Sequence, residues 1–235
     1  MGFDLFQLLD HMNEINSNFL TSGAEEMIST DRIHPNNVGH YVLAYNVINY
    51  LFKDTGLVAS VTVDAANASF DAENATVKDV EVKDGVVKYY YAPNALPWHN
   101  GDNYIKAEKY VDLTDDLNRE IIKVTGLEAD ATYTIKFNDV AVATATGAEL
   151  AEGINIATLA NNPGQITSKK VYDKLLKKRN LVYGVRNHYV TYYNDGAAEL
   201  DYAWIEEQNV QIKALAEEAR EIARQPREYV VTISK

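Results

Sequence analysis

Asp31 and His34 are the residues of this chain whose types and spacing read as chemistry rather than packing. They stand in Asp31-Arg32-Ile33-His34-Pro35-Asn36-Asn37-Val38-Gly39-His40, an acid three residues before a histidine and a proline directly after it. A neutral imidazole can take a proton from a hydroxyl nucleophile and hand it on to the leaving group. A carboxylate on the other ring nitrogen fixes the tautomer and stabilises the imidazolium. Structural Asp–His pairs on loops meet the same spacing, so the neighbouring residues must decide.

Those neighbours describe a short loop tethered to a helix. Pro35 biases His34 toward an extended backbone. Asn36 or Asn37 can cap a helix by accepting its first free N–H groups. From Val38 to Phe52, the residues Tyr41, Val42, Tyr45, Ile48, Leu51 and Phe52 recur at three-to-four spacing and predict a buried stripe, with Gly56 as the expected C-cap. Upstream, Phe3, Leu5, Phe6, Leu8, Leu9, Met12 and Ile15 predict an amphipathic helix, followed by a polar loop over 17–26.

Asp31-Arg32-Ile33-His34-Pro35, followed by Gly39-His40 and Leu43-Ala44, resembles the last sequence block of the SGNH (GDSL-type) serine hydrolases, which are esterases and lipases on a flavodoxin-like α/β fold. By matching position, the resemblance implies that Asp31 orients and His34 is the base. In that family the nucleophile lies in a Gly-Asp-Ser block, and the oxyanion-hole Gly and Gly-x-Asn come between it and the Asp–His block. The thirty residues before Asp31 hold none of these. Gly101-Asp102-Asn103 lacks the serine, and Asn194-Asp195-Gly196 reads as a turn. No nucleophile is assigned within this chain. The expectation is therefore the C-terminal portion of a flavodoxin-like SGNH domain, inert alone. Its serine would come from a truncated segment, from residues before a misplaced start, or from a complementing chain. An ester substrate, carbohydrate esters among them, and a secreted or cell-envelope location follow from family habit alone.

Composition narrows the alternatives. The 235 residues have room for one large domain or two ordinary ones, and 46% hydrophobic content suits a packed core. Thirty-four acidic against 22 basic residues give a net charge of −12, which argues against nucleic acid and anionic lipid surfaces as partners. No apolar run approaches the roughly 20 residues of a membrane span. With no cysteine there are no disulfides or thiolate metal sites. The histidines at 11, 34, 40, 99 and 188 have no metal-binding spacing, so neither a metal nor a cofactor is expected.

Beyond residue 56 the period changes from helical to two-residue. Val58–Val63, Ala75–Val82, Val86–Tyr91, Ile121–Val124, Thr132–Phe137 and Val140–Thr144 read as strands, with tight turns at Asp84-Gly85 and Asn138-Asp139. The expected organisation is the hydrolase part over 1–56, a β-sandwich-like module over 57–160, an antiparallel helical hairpin over 161–225 and a closing strand over 226–235. Stretches from Val124 to Leu127, Ala148 to Leu150 and Gly153 to Asn155 extend the SGNH resemblance over most of the chain. In the loop Ala92-Pro93-Asn94-Ala95-Leu96-Pro97-Trp98-His99, Trp98 and His99 are candidate pocket residues, and the plainer reading has Leu96 and Trp98 plugging the core. The basic run Lys169 to Arg179 on the first hairpin helix would face acids on the second, among them Glu206, Glu207, Glu217 and Glu218. The alternative function is a non-catalytic binding or assembly module, with a homodimer as partner.

Overall fold

The computed structural model describes residues 9, 10, 12, 14, 34–52, 56–195 and 199–235. In chain order the elements are α1 (Asn37–Leu51), β1 (Leu57–Asp64), β2 (Ser69–Glu73), β3 (Ala75–Lys83), β4 (Val86–Pro93), α2 (Asp102–Ala107), α3 (Leu113–Leu117), β5 (Arg119–Thr125), β6 (Thr132–Phe137), β7 (Val140–Thr146), α4 (Gly147–Glu152), β8 (Ile154–Asn155), α5 (Pro163–Asp195), α6 (Tyr202–Arg224) and β9 (Tyr229–Ser234).

The strands form where β-branched and aromatic residues alternate. Along β4, Val87, Tyr89 and Tyr91 point one way and are buried; along β6, Tyr133, Ile135 and Phe137 do the same. Two-residue turns set the hairpin registers. Asp84 and Gly85 have φ of 51° and 76°, Asn138 and Asp139 of 48° and 68°. Both central φ values are positive at each turn, the condition that matches the right-handed strand twist and favours Asn, Asp and Gly. Lys83 therefore pairs with Val86 and Phe137 with Val140.

Two sheets result. One is mixed, in the order β2-β1-β5-β8, with β1 and β5 parallel. The other is antiparallel, in the order β3-β4-β9-β6-β7. Their inner faces share one core, with Val61, Val63, Ile122 and Val124 from the mixed sheet and Val87, Tyr89, Ile135, Val231 and Ile233 from the antiparallel one. The closing strand β9 is central, pairing β4 on one side and β6 on the other, so the last six residues of structure complete a sheet begun at residue 75. The architecture is α/β, a mixed and an antiparallel sheet with C-terminal helices.

Three expectations need correction. Gly56 does not cap α1: the helix ends at Leu51, and the Phe52 N–H closes it on the Ile48 carbonyl at 2.7 Å. Gly56 is needed instead for close approach, because a Cβ there would sit 1.8 Å from the Asp116 carbonyl oxygen. The apolar stripe of α1 is buried only in its first half: Leu51 and Phe52 are exposed. The second hairpin helix, whose apolar spacing predicts a start near Ala197, begins instead at Tyr202, and Asp201 caps it by accepting from the Trp204 N–H at 2.9 Å. The flavodoxin-like sheet and the helix expected over 3–16 fall almost wholly on residues outside the described set. Among the described residues the parallel pair is β1 with β5, inside the sandwich.

The hairpin of α5 and α6 runs antiparallel and contacts itself far more than it contacts the sandwich. Lys174 bonds Glu218 across it, and the Trp204 ring lies 5.1 Å from that of His188. Its root is polar and buried. Asn162, before α5, donates to Glu120 on β5 at 2.6 Å, and Tyr91 on β4 donates to the other carboxylate oxygen at 2.7 Å. That one carboxylate ties both sheets to the start of the hairpin.

Candidate active site

His34 lies in an exposed bend two residues before the N-cap of α1. Asn36 takes the capping role that its position predicts: with an extended backbone, its Oδ1 accepts from the Val38 N–H at 2.9 Å and the Gly39 N–H at 3.0 Å. The histidine is thereby delivered at the start of a fixed helix. Asp31 lies outside the described residues. His40, one turn into α1, is exposed, and its N–H bonds the Asn36 carbonyl at 2.9 Å.

What fixes α1 is a second, smaller core. Val38 and Val42 are buried with Met12, Tyr104, Ala107 and Leu113. Tyr45 bonds Asp116 on α3, and this bond, before burial, pushes the Tyr45 hydroxyl up to about 12. The short helices α2 and α3 thus form a platform grafted between β4 and β5, and the helix carrying the candidate base rests on it.

Trp98 belongs to this platform. Its ring stacks on Tyr41 of α1 at 5.4 Å and meets Tyr104 edge-on at 5.6 Å. The fully buried Asn118 clamps the Trp98 backbone from both ends of the peptide, accepting from its N–H at 2.8 Å and donating to its carbonyl at 3.1 Å. From the hairpin side, Gln165 donates to the same carbonyl at 2.7 Å and Ser168 to the Pro97 carbonyl at 2.6 Å. The loop is therefore held by the residue that ends α3 and by the first turns of α5 together. Trp98 is partly buried and packs against the small core that holds α1.

His99 faces the other way. Its ring lies 4.9 Å from Tyr172, and its Nδ1 is 3.4 Å from Gln165 Oε1. With Asn100, Ile166, Lys169, Lys170 and Asp173 it lines a groove of about 350 Å³ beside the first turns of α5. Burial, and then the neighbouring Tyr172, holds the Tyr41 hydroxyl above its ordinary value. Two ring pairs thus flank this loop, Tyr41 with Trp98 and Tyr172 with His99. Among the described residues, no three His, Asp or Glu side chains converge as a metal set would, and no helix is long and apolar enough to cross a membrane.

Tyr41, Asn118, Gln165 and Ser168 were not singled out from the sequence. Asn118, Gln165 and Ser168 are lone polar residues with no local motif, and they matter only because distant backbone carbonyls reach them. Tyr41 was placed correctly on the buried side of α1, but its partner lies 57 positions away.

No protein-family model matches the chain, and no curated protein matches it. A solved structure, that of a gut microbial diltiazem-metabolizing enzyme, superposes with a TM-score of 0.80 at 20% sequence identity, covering 96% of this chain. The aligned part is 61% of that structure, so this chain spans about three fifths of its length. The likeness shows that sandwich, platform and hairpin recur together in one fold.

Proposed function

We propose that this chain is part of a serine ester hydrolase of the SGNH type, with His34 as general base and Asp31 as the residue that orients it. The observation that carries the reading is the Asp31-x-x-His34-Pro35 block set directly before an Asn-capped helix, with His34 exposed rather than packed away. His34 would take the proton of a serine hydroxyl as it attacks the ester carbonyl, then pass it to the departing alcohol. The serine and the oxyanion donors are supplied by residues beyond this sequence. That the fold-related structure is an enzyme acting on a small organic molecule supports a catalytic rather than a purely structural role.

Hydrolysis of p-nitrophenyl acetate and of diltiazem tests the proposal. The 235-residue chain alone should run at background rate. The same chain preceded by its in-frame upstream residues, if these carry Gly-Asp-Ser, should hydrolyse ester, and His34→Ala should lower kcat by about a thousandfold or more. Hydrolysis by the lone chain that His34→Ala abolishes would place the nucleophile inside this sequence. Full activity of the completed His34→Ala protein would remove His34 from the chemistry.

A further inference from the structure

Apart from Tyr172, which also meets His99, the outer face of α5 is used by neither the sandwich nor the candidate site. Between Lys169 and Asn194 no residue of α5 is fully buried, and α6 buries only Ile205 and Ala219. α6 covers one side of α5 through Lys174, Leu181, Val185, His188 and Tyr192, which are half-buried and share a face. A second face stays open. At 100° per residue, Tyr172, Leu175, Val182, Tyr183, Val190 and Tyr193 fall within an arc of about 100°. All six are between 41% and 75% exposed. At 1.5 Å per residue the stripe is roughly 30 Å long. Scattered exposed apolar residues are ordinary, but an unbroken stripe of this length marks an interaction surface.

Its composition says what covers it. Arg179 and Arg186 lie in the same arc, so that Tyr172, Leu175, Arg179, Val182, Arg186 and Tyr193 follow the three-and-four spacing of a helix seam. Arg179 rests 5.8 Å over the Tyr183 ring. α5 holds seven basic and two acidic residues, whereas α6 holds five glutamates and three basic residues. A covering surface must bring apolar side chains for the stripe and carboxylates for its arginines. One hairpin of this chain offers both, with the stripe on α5 and Glu206, Glu207 and Glu221 on α6. The net charge of −12 disfavours anionic lipid and nucleic acid in the same place.

We propose that the α5 stripe is the interface between two copies of this chain, whose hairpins close about a two-fold axis into a four-helix bundle. An isologous contact presents each α5 to the partner's hairpin, so the same basic and acidic faces complement each other twice. The bundle would bury the apolar arc that two helices alone cannot cover.

Light scattering on the eluting 235-residue chain, from one to one hundred micromolar, reads the outcome. The expected result is twice the chain mass. Val182→Asp sets a charge in the middle of the stripe at an exposed position, and should raise the dimer Kd roughly tenfold or more with helical circular dichroism unchanged. Phe70→Asp, on the exposed side of the β2 edge, should leave the dimer intact. A chain that stays single at the highest concentration overturns the proposal. So does a dimer that Phe70→Asp disrupts and Val182→Asp does not, which would assign association to the sheet edge.

Discussion

The strands of the sandwich and the helices of the hairpin hold similar numbers of residues and solve burial in opposite ways. In the sandwich, alternation along β1, β4, β5, β6 and β9 sends side chains inward, and two sheets close over eighteen buried residues. The inner face of each sheet is covered by the other, so this core needs nothing outside. In the hairpin, 33 and 23 residues of helix meet along one seam, and most of each cylinder remains in contact with solvent. Two helices have too little mutual surface to hide their apolar residues. The difference separates a region that stabilises itself from one that is anchored at its root and open along its length.

The largest effect that contrast predicts is a truncation in the sandwich. Ile135 on β6 is fully buried between the sheets. Ile135→Ala should cost about 2–5 kcal/mol, from lost transfer free energy and the cavity left behind. The matched change in the hairpin, Val182→Ala, should cost less than about 0.5 kcal/mol at concentrations where the chain is single. Urea titrations of both variants, followed at low protein concentration, check the ratio. Equal losses would mean that the α5 stripe is already covered within one chain.

The same contrast explains what was readable in the residues before any coordinates. Seven of the nine strands and both two-residue turns were legible because alternation and Asp-Gly or Asn-Asp chemistry are local; β2, exposed along nearly its whole length, and the two-residue β8 show no such alternation. The hairpin was legible because its periodicity runs for several turns. The parallel pairing of β1 with β5 was not, since nothing near Val61 names Ile122 as its neighbour. The central place of β9 escaped for the same reason. α2 and α3 are five or six residues long, too short for a helical period to show. At the candidate site, the Asn cap and the exposed bend at His34 followed from the residues beside them. The Asn118 clamp on Trp98 did not, because a lone asparagine acquires a role only when a chain segment 20 residues away folds back onto it.

A smaller effect sits at the joint between the two regions. Burial holds the Glu120 carboxyl above the ordinary carboxylate range, although the Asn162 and Tyr91 hydrogen bonds and the charge of Arg227 pull the other way. The folded protein therefore keeps this proton to higher pH than the unfolded chain does. Its contribution to stability is complete below the ordinary carboxylate pKa, about 4.3, and is lost as pH rises through the raised value. Glu120→Gln keeps an acceptor for Asn162, turns an N–H toward the Tyr91 hydroxyl, which can accept it, and removes the titration. The stability of the wild type relative to this variant should thus fall as pH rises from about 4, measured as the difference in Tm across a pH series. A difference that grows with pH instead would show that Arg227 and the two donors hold Glu120 ionised at the joint.

The smallest effect acts within the hairpin and leaves the sandwich untouched. Gly184 lies in the middle of α5, where glycine costs a helix roughly 1 kcal/mol relative to alanine through backbone entropy. A Cβ at this position would meet the Trp204 ring at 3.9 Å, an ordinary contact, whereas at Gly147 it would fall 2.1 Å from the Glu128 carbonyl oxygen. Gly184→Ala should therefore stabilise the hairpin by about 0.5–1 kcal/mol, and Gly147→Ala should destabilise the sandwich where α4 meets the segment after β5. Amide exchange resolves the two regions. Protection should rise along α5 and α6 in Gly184→Ala and stay constant in the strands, because a helix pair held to the sandwich only at its root can open without it. Protection rising equally in β4 and β6 would mean that hairpin and sandwich open as one unit, and that the separation between a self-sufficient region and a dependent one does not hold.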